Sequence, residues 1–142
     1  MKKTIFLCAS MAFYKELVEI EKQLEAKGFT VNIPVSAQIM KKKNDFEVAH
    51  FKGFITNEQK GQYIRTNFGK IAEGNSILII NNEKNGVKGY IGPNVLMEIG
   101  LAFYLKKNIY IWNPIEENAS YKEELLAFSV KFINNDLDAI DL

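Results

Sequence analysis

Phe13, Leu17, Ile20 and Leu24 recur at intervals of four, three and four residues, the spacing of one helix face. They follow directly on the apolar run Ile5-Phe6-Leu7-Cys8-Ala9, which predicts a first strand leading into a helix that begins near Ala12. Gly28 stands where a left-handed C-terminal cap is wanted, and Phe29, Val31 and Ile33 then alternate as a strand does until Pro34 stops it. From Val35 to Asn57 the pattern breaks: Lys41-Lys42-Lys43, Asn44-Asp45 and Gly53 are mixed with scattered aromatics. That stretch reads as a long connection with room for one short helix. Periodicity returns from Glu58, with Ile64, Phe68 and Ile71 marking a helix up to Gly74.

The uninterrupted Ile77-Leu78-Ile79-Ile80 reads as a strand covered on both faces, the central kind in a parallel sheet. A glycine-punctuated loop follows from Asn81 to Gly92, and Pro93 suits the first position of a helix running to about Leu105. Ile109 to Trp112 predicts a fourth strand ended by Asn113-Pro114, and Ser120 with Glu123 has the form of a capping box opening a further helix. Val130, Phe132 and Ile133 predict a fifth, weaker edge strand. Strands alternating with helices in this way predict an α/β domain spanning residues 1–142, with a mainly parallel five-stranded sheet and helices on both faces.

Composition narrows the function classes. With 47% apolar and 25% charged residues and three prolines, the 142-residue chain is expected to fold as a soluble globular domain rather than a disordered one. Its net charge of +1 supplies no field that would favour nucleic acid or a membrane surface as partner. Cys8 and His50, each the only residue of its kind, cannot build a disulfide or a structural zinc tetrad, so no metal is expected. The opening Met1-Lys2-Lys3 and the apolar residues after it have the basic and apolar parts of a secretory signal, with Cys8-Ala9-Ser10 as a conceivable cleavage site. Because the apolar run is short and passes straight into the first helix face, it is read as a strand and the protein as cytoplasmic.

Ligands of open parallel sheets bind beyond the carboxyl ends of the strands, where strand order reverses. The first strand ends in Cys8-Ala9-Ser10-Met11, small residues that let a ligand approach the backbone, and the central strand ends in Asn81-Asn82. Tyr14 and Tyr90 fall near the same crevice. Glu98 is the most informative residue, because every other side chain from Asn94 to Leu105 is uncharged. A carboxylate in so apolar a helix must be paired, be neutralised by a raised pKa, or face a ligand. Pairing with Lys106 or Lys107 at the rim is the competing structural account. Gly86, Gly89 and Gly92 could present amides to an anion at the helix start, but their spacing is neither a dinucleotide fingerprint nor a P-loop. His50, Cys8 and Lys41 to Lys43 read as structural or solvated positions, and Ser10 lacks the partners of a hydrolase triad.

Ile5 to Ser10, Ser76 to Ile80 and Gly92-Pro93-Asn94-Val95-Leu96-Met97-Glu98-Ile99-Gly100-Leu101-Ala102, followed by Lys107 to Ile111, together resemble the nucleoside 2-deoxyribosyltransferase superfamily, which includes deoxynucleoside monophosphate N-glycosidases. The resemblance covers the first strand and roughly residues 60 to 115. It implies a flavodoxin-like three-layer fold, no cofactor, and cleavage or transfer at the N-glycosidic bond of a nucleoside or nucleoside 5′-monophosphate, with Glu98 as nucleophile. It also implies that Ala9, Ser10, Tyr14, Asn81, Gly89, Tyr90, Gly92 and Asn94 bind the substrate, and that the protein is a homo-oligomer. The chain departs from the superfamily's pattern where acids are usual: Asn67 and Asn75 stand there instead. That departure sets an alternative beside the enzyme, a noncatalytic nucleotide-binding domain that keeps the pocket.

Overall fold

The computed structural model describes residues 2–141. Five strands, β1 (Thr4–Ala9), β2 (Thr30–Asn32), β3 (Ser76–Ile80), β4 (Asn108–Ile111) and β5 (Lys131–Phe132), form one sheet. Its order is β2-β1-β3-β4-β5 and every neighbouring pair is parallel. This is the flavodoxin-like doubly wound order, with its switch point between β1 and β3. The two central strands are the most apolar: every residue of β3, and Ile5 to Ala9 of β1, is buried, as a strand covered on both faces requires.

The helices are α1 (Tyr14–Ala26), α2 (Val35–Lys43), α3 (Val48–Lys52), α4 (Asn57–Glu73), α5 (Pro93–Tyr104) and α6 (Lys122–Ala127). Alternation along β1 sorts them into two layers. Ile5, Leu7 and Ala9 pack with Leu17, Ile20 and Leu24 of α1, with Ala37 and Met40 of α2, and with the C-terminal Leu137 and Ile140. Phe6 and Cys8 face the other way, onto Ile71 of α4, Val95 and Ile99 of α5, and Leu125 of α6. Cys8 therefore lies on the same side of the sheet as the helix that carries Glu98.

Several local expectations are met with shifted boundaries. A single 3₁₀ turn, Met11–Phe13, precedes α1. The helix ends in a Schellman arrangement, the Gly28 amide (φ +100°) donating to Glu25 O and the Phe29 amide to Leu24 O. The edge strand β5 is in place.

Two expectations are corrected. The connection from Val35 to Asn57 holds two helices rather than one. Here α2 starts directly after Pro34, buries Ala37 and Met40, and ends at the left-handed Asn44 (φ 51°), with Lys41 to Lys43 complementing its C-terminal dipole. Ser120 does not cap α6: turns from Ala119 to Glu116 and from Lys122 to Ala119 delay the helix, whose N-cap is Tyr121. The capping box forms instead at α4. Thr56 Oγ1 accepts from the Gln59 amide at 3.1 Å, and Gln59 Oε1 accepts from the Thr56 amide at 3.0 Å.

The loop between β3 and α5 is anchored by a close approach. Gly89 has φ +64°, and a Cβ there would lie 2.1 Å from Pro114 O. Both conformation and space demand glycine, so Gly89→Ala is expected to cost more than about 2 kcal/mol. Chemical denaturation would measure it, and a midpoint unchanged from wild type would contradict it.

Candidate active site

At the switch point, the carboxyl end of β1 opens into a cavity of about 400 Å³. Ala9, Ser10 and Met11 form its wall on the β1 side, and Tyr14 of α1 reaches in from the same side. Gly92, Pro93 and Asn94 contribute the N-terminus of α5, and Lys84 and Tyr90 come from the loop ahead of it. The opposite wall comes from Ser36 of α2 and Val48, Phe51 and Lys52 of α3, in the segment that showed no resemblance, and from Lys60, Tyr63, Ile64 and Asn67 of α4, where the resemblance resumes. No signal in the pattern of residues 35–57 marks Ser36, Val48, Phe51 or Lys52. One topological signal could have found them, because a chain leaving the carboxyl end of β2, next to the switch point, must border the crevice.

Of the residues singled out from sequence, Ala9, Ser10, Tyr14, Tyr90, Gly92 and Asn94 therefore line one cavity. Asn81 and Gly89 lie outside its wall. Asn81 is fully buried and ties the end of β3 to the end of β4: its Oδ1 accepts from the Asn113 amide and its Nδ2 donates to Asn113 O, both at 2.8 Å. Asn113 Nδ2 returns a bond to Asn81 O at 3.1 Å. Gly89 makes the close approach to Pro114 described above.

Glu98 lies one turn beyond Asn94 and Val95 on α5, is not among the residues that line the cavity, and keeps 3% exposure. Among the described residues no basic side chain pairs with it. Lys106 and Lys107, the candidates for such a pair, lie past the end of α5. Desolvation dominates its titration and pushes the carboxyl up to about 8; the Cys8 thiol, a weak donor beside it, holds the rise back. Burial also raises Cys8 itself, and the Glu98 charge adds to that rise. Tyr14 is raised as well, by burial above all and then by the Glu98 charge, with a hydrogen bond to Ser36 opposing. Cys8, Tyr14 and Glu98 thus converge from β1, α1 and α5.

The cavity wall contains Lys52, Lys60 and Lys84 and no aspartate or glutamate. Lys84 Nζ donates to Ser10 Oγ at 3.2 Å and sits 4.9 Å from the centroid of the Tyr90 ring. Together with the α5 N-terminus this makes an electropositive corner. Asn67, at a usual acid position, uses its Oδ1 to accept from the Val35 amide at 3.0 Å, capping α2 while lining the cavity. Asn75, at the other, lies at the opposite end of the sheet, where its Oδ1 accepts from the Thr4 amide at 2.8 Å. His50 pairs with Asp45 on the surface at 2.9 Å.

No protein-family model and no curated protein matches the sequence. Among solved structures, the chain is similar to a 2-deoxyribosyltransferase from Bacillus psychrosaccharolyticus, at 18% identity over 98% of this chain and 93% of that one, with a TM-score of 0.66. It is also similar to a Clostridium botulinum CMP N-glycosidase, at 19% identity over 94% of this chain and 90% of that one, with a TM-score of 0.57. With the strand order β2-β1-β3-β4-β5, these likenesses give the chain a flavodoxin-like α/β fold.

Proposed function

We propose that the protein cleaves or transfers at the N-glycosidic bond of a nucleoside 5′-monophosphate, with Glu98 as nucleophile. The observation that carries this reading is a solitary buried carboxyl, without a basic partner among the described residues, on the helix whose first turn lines a cation-bearing cavity with no acid in its own wall. The two structural neighbours, an N-glycosidase and a deoxyribosyltransferase, point the same way.

In its ionised form a Glu98 oxygen bonds to the anomeric carbon as the C1′–N bond breaks and its electron pair leaves with the base. Positive charge on the sugar in the transition state favours the carboxylate held beneath it. Water or a second base then attacks the same carbon and releases Glu98. No cofactor or metal enters this scheme. The test is incubation with a panel of ribo- and deoxynucleosides and their 5′-monophosphates, scored for released or exchanged base, with Glu98→Ala as control. Absence of turnover across the panel would reject the enzyme.

The monophosphate is preferred to the free nucleoside because Lys84, Ser10 and the α5 N-terminus form a corner suited to a phosphate. Lys84→Met is expected to weaken binding of a 5′-monophosphate about tenfold or more and leave the matching nucleoside unchanged. Titration calorimetry with the pair of ligands checks this, and equal losses for both would refute it.

A second reading, a nucleotide-binding domain without catalysis, is favoured by one observation: Asn67 occupies a usual acid position and is committed to capping α2. Ligand-induced thermal stabilisation without base release would select it.

Self-association is part of the same proposal, as is a cytoplasmic location. Among the described residues no helix is long and apolar enough to cross a membrane. The outward face of α5 carries no charge and exposes Met97, Phe103 and Tyr104, the last at 80%. A second copy covering this face is expected to be displaced by the double change Met97→Glu, Tyr104→Glu. Sedimentation should then show a monomer for the variant and a larger species for wild type, and a monomeric wild type would reject the association.

A further inference from the structure

Tyr14 and Ser36 meet at the edge of the cavity, hydroxyl to hydroxyl at 2.7 Å. Tyr14 comes from α1 and Ser36 from the start of α2; both are buried, at 4% and 7% exposure, and both line the cavity. A tyrosine and a serine hydroxyl carry one hydrogen each. Their mutual bond uses one. Among the described residues neither hydroxyl has any other protein partner, so one donor hydrogen and several lone pairs remain for whatever occupies the cavity.

The neighbours of the pair narrow what that occupant's group is. Glu98 lies close enough for its charge to act on Tyr14. An anion placed at the pair would be repelled by that carboxylate once ionised, whereas a hydroxyl can accept the spare hydrogen and donate in return. Lys84 is engaged with Ser10 rather than with the pair. We propose that the Tyr14–Ser36 hydroxyl pair is a subsite for a sugar hydroxyl, holding the ligand's furanose beside Glu98 while the phosphate is taken by the Lys84 corner. This rests on the nucleotide reading given above and extends it to Ser36, in a segment with no sequence resemblance to guide it.

The subsite is tested by binding, which does not require turnover. Calorimetry would compare 5′-monophosphates of the common purines and pyrimidines carrying ribose, 2′-deoxyribose or 2′,3′-dideoxyribose. Wild type is expected to bind the best hydroxylated ligand at least about tenfold more tightly than its dideoxy counterpart, because a site built around a hydroxyl is left unpaired by an analogue that lacks it. Tyr14→Phe and Ser36→Ala should reduce that ratio to about twofold by weakening only the hydroxylated ligand. Ser36→Thr, which restores a hydroxyl, should recover the ratio. The unchanged dideoxy affinity reports that each variant is folded.

Equal losses for both ligands, or none, would make the pair a structural bond between α1 and α2 and overturn the subsite. So would a wild type that does not distinguish the sugars; in either case the functional proposal would stand. If wild type binds none of the monophosphates, the subsite and the nucleotide reading fall together.

Discussion

Glu98→Gln is expected to lower turnover of the preferred nucleoside 5′-monophosphate by at least about 10³-fold, with little change in ligand affinity. Glutamine preserves the size and polarity of the neutral acid, so the apolar packing of α5 against Phe6, Cys8 and Ile77 need not change. It cannot form the glycosyl intermediate, and it brings no negative charge to the sugar. The same residue sets the pH profile. With its carboxyl pushed up to about 8, Glu98 in the free protein is mostly protonated at neutral pH, and the nucleophilic form grows as pH rises. The kcat/KM of wild type should climb through about pH 8 and then level, since this parameter reports the free enzyme. A 5′-phosphate titrates near ~6 and leaves the limb near 8 distinct. Cys8→Ala removes the donor that holds the Glu98 pKa back, so its limb should move to higher pH. Steady-state kinetics on the three proteins decide the matter: a Glu98→Gln enzyme with wild-type turnover would remove Glu98 from the chemistry, and a flat profile would contradict its burial.

What could be read from sequence divides along physical lines. The central strands were legible because burial on both faces leaves an unbroken apolar run, and the short, mostly β-branched Ile77-Leu78-Ile79-Ile80 closed by Asn81-Asn82 favours a strand over a buried helix segment. The helix carrying Glu98 was legible for a related reason: one charge among uncharged neighbours stands out whatever the fold. The opposite wall of the cavity was not. Ser36, Phe51, Lys52 and Lys60 look like ordinary loop and helix residues, and only the path of the chain from β2 back to β3 carries them to the crevice. Local patterns also mislead when geometry has the last word. Ser120 and Glu123 have capping-box spacing, yet the turns ahead of α6 move the helix start past the serine. Asn81, at the end of a central strand, has the place of a ligand-binding residue, but the chain uses both ends of its amide to hold β4 alongside β3. Asn67 and Asn75 look equivalent in sequence, as two amides at usual acid positions. They stand at opposite ends of the sheet, one facing the cavity and one closing the start of β1.

The second large effect concerns stability, and it has the opposite sign from the activity loss. In the unfolded chain a glutamate titrates near its ordinary value of 4.5, whereas the folded protein holds Glu98 protonated up to about 8. Between those values the native state binds one proton more than the unfolded state, so stability falls as pH rises. The contribution is complete below the unfolded pKa and is lost as pH passes the folded one. Glu98→Gln keeps the neutral shape at every pH and has no such slope. The variant should match wild type near pH 4.5 and exceed it by pH 9, with a difference on the order of 4 kcal/mol, or on the order of 10 °C in Tm for a chain of this size. Cys8 and Tyr14 do not blur the comparison, because both are raised and stay protonated through the window. Other titrating groups act on both proteins and cancel in the difference. Thermal unfolding of the two proteins side by side from pH 4.5 to 9 measures it directly. A difference that does not change with pH would mean that the Glu98 carboxyl is well solvated or has found a cation, and the case for a buried nucleophile would lose its physical basis.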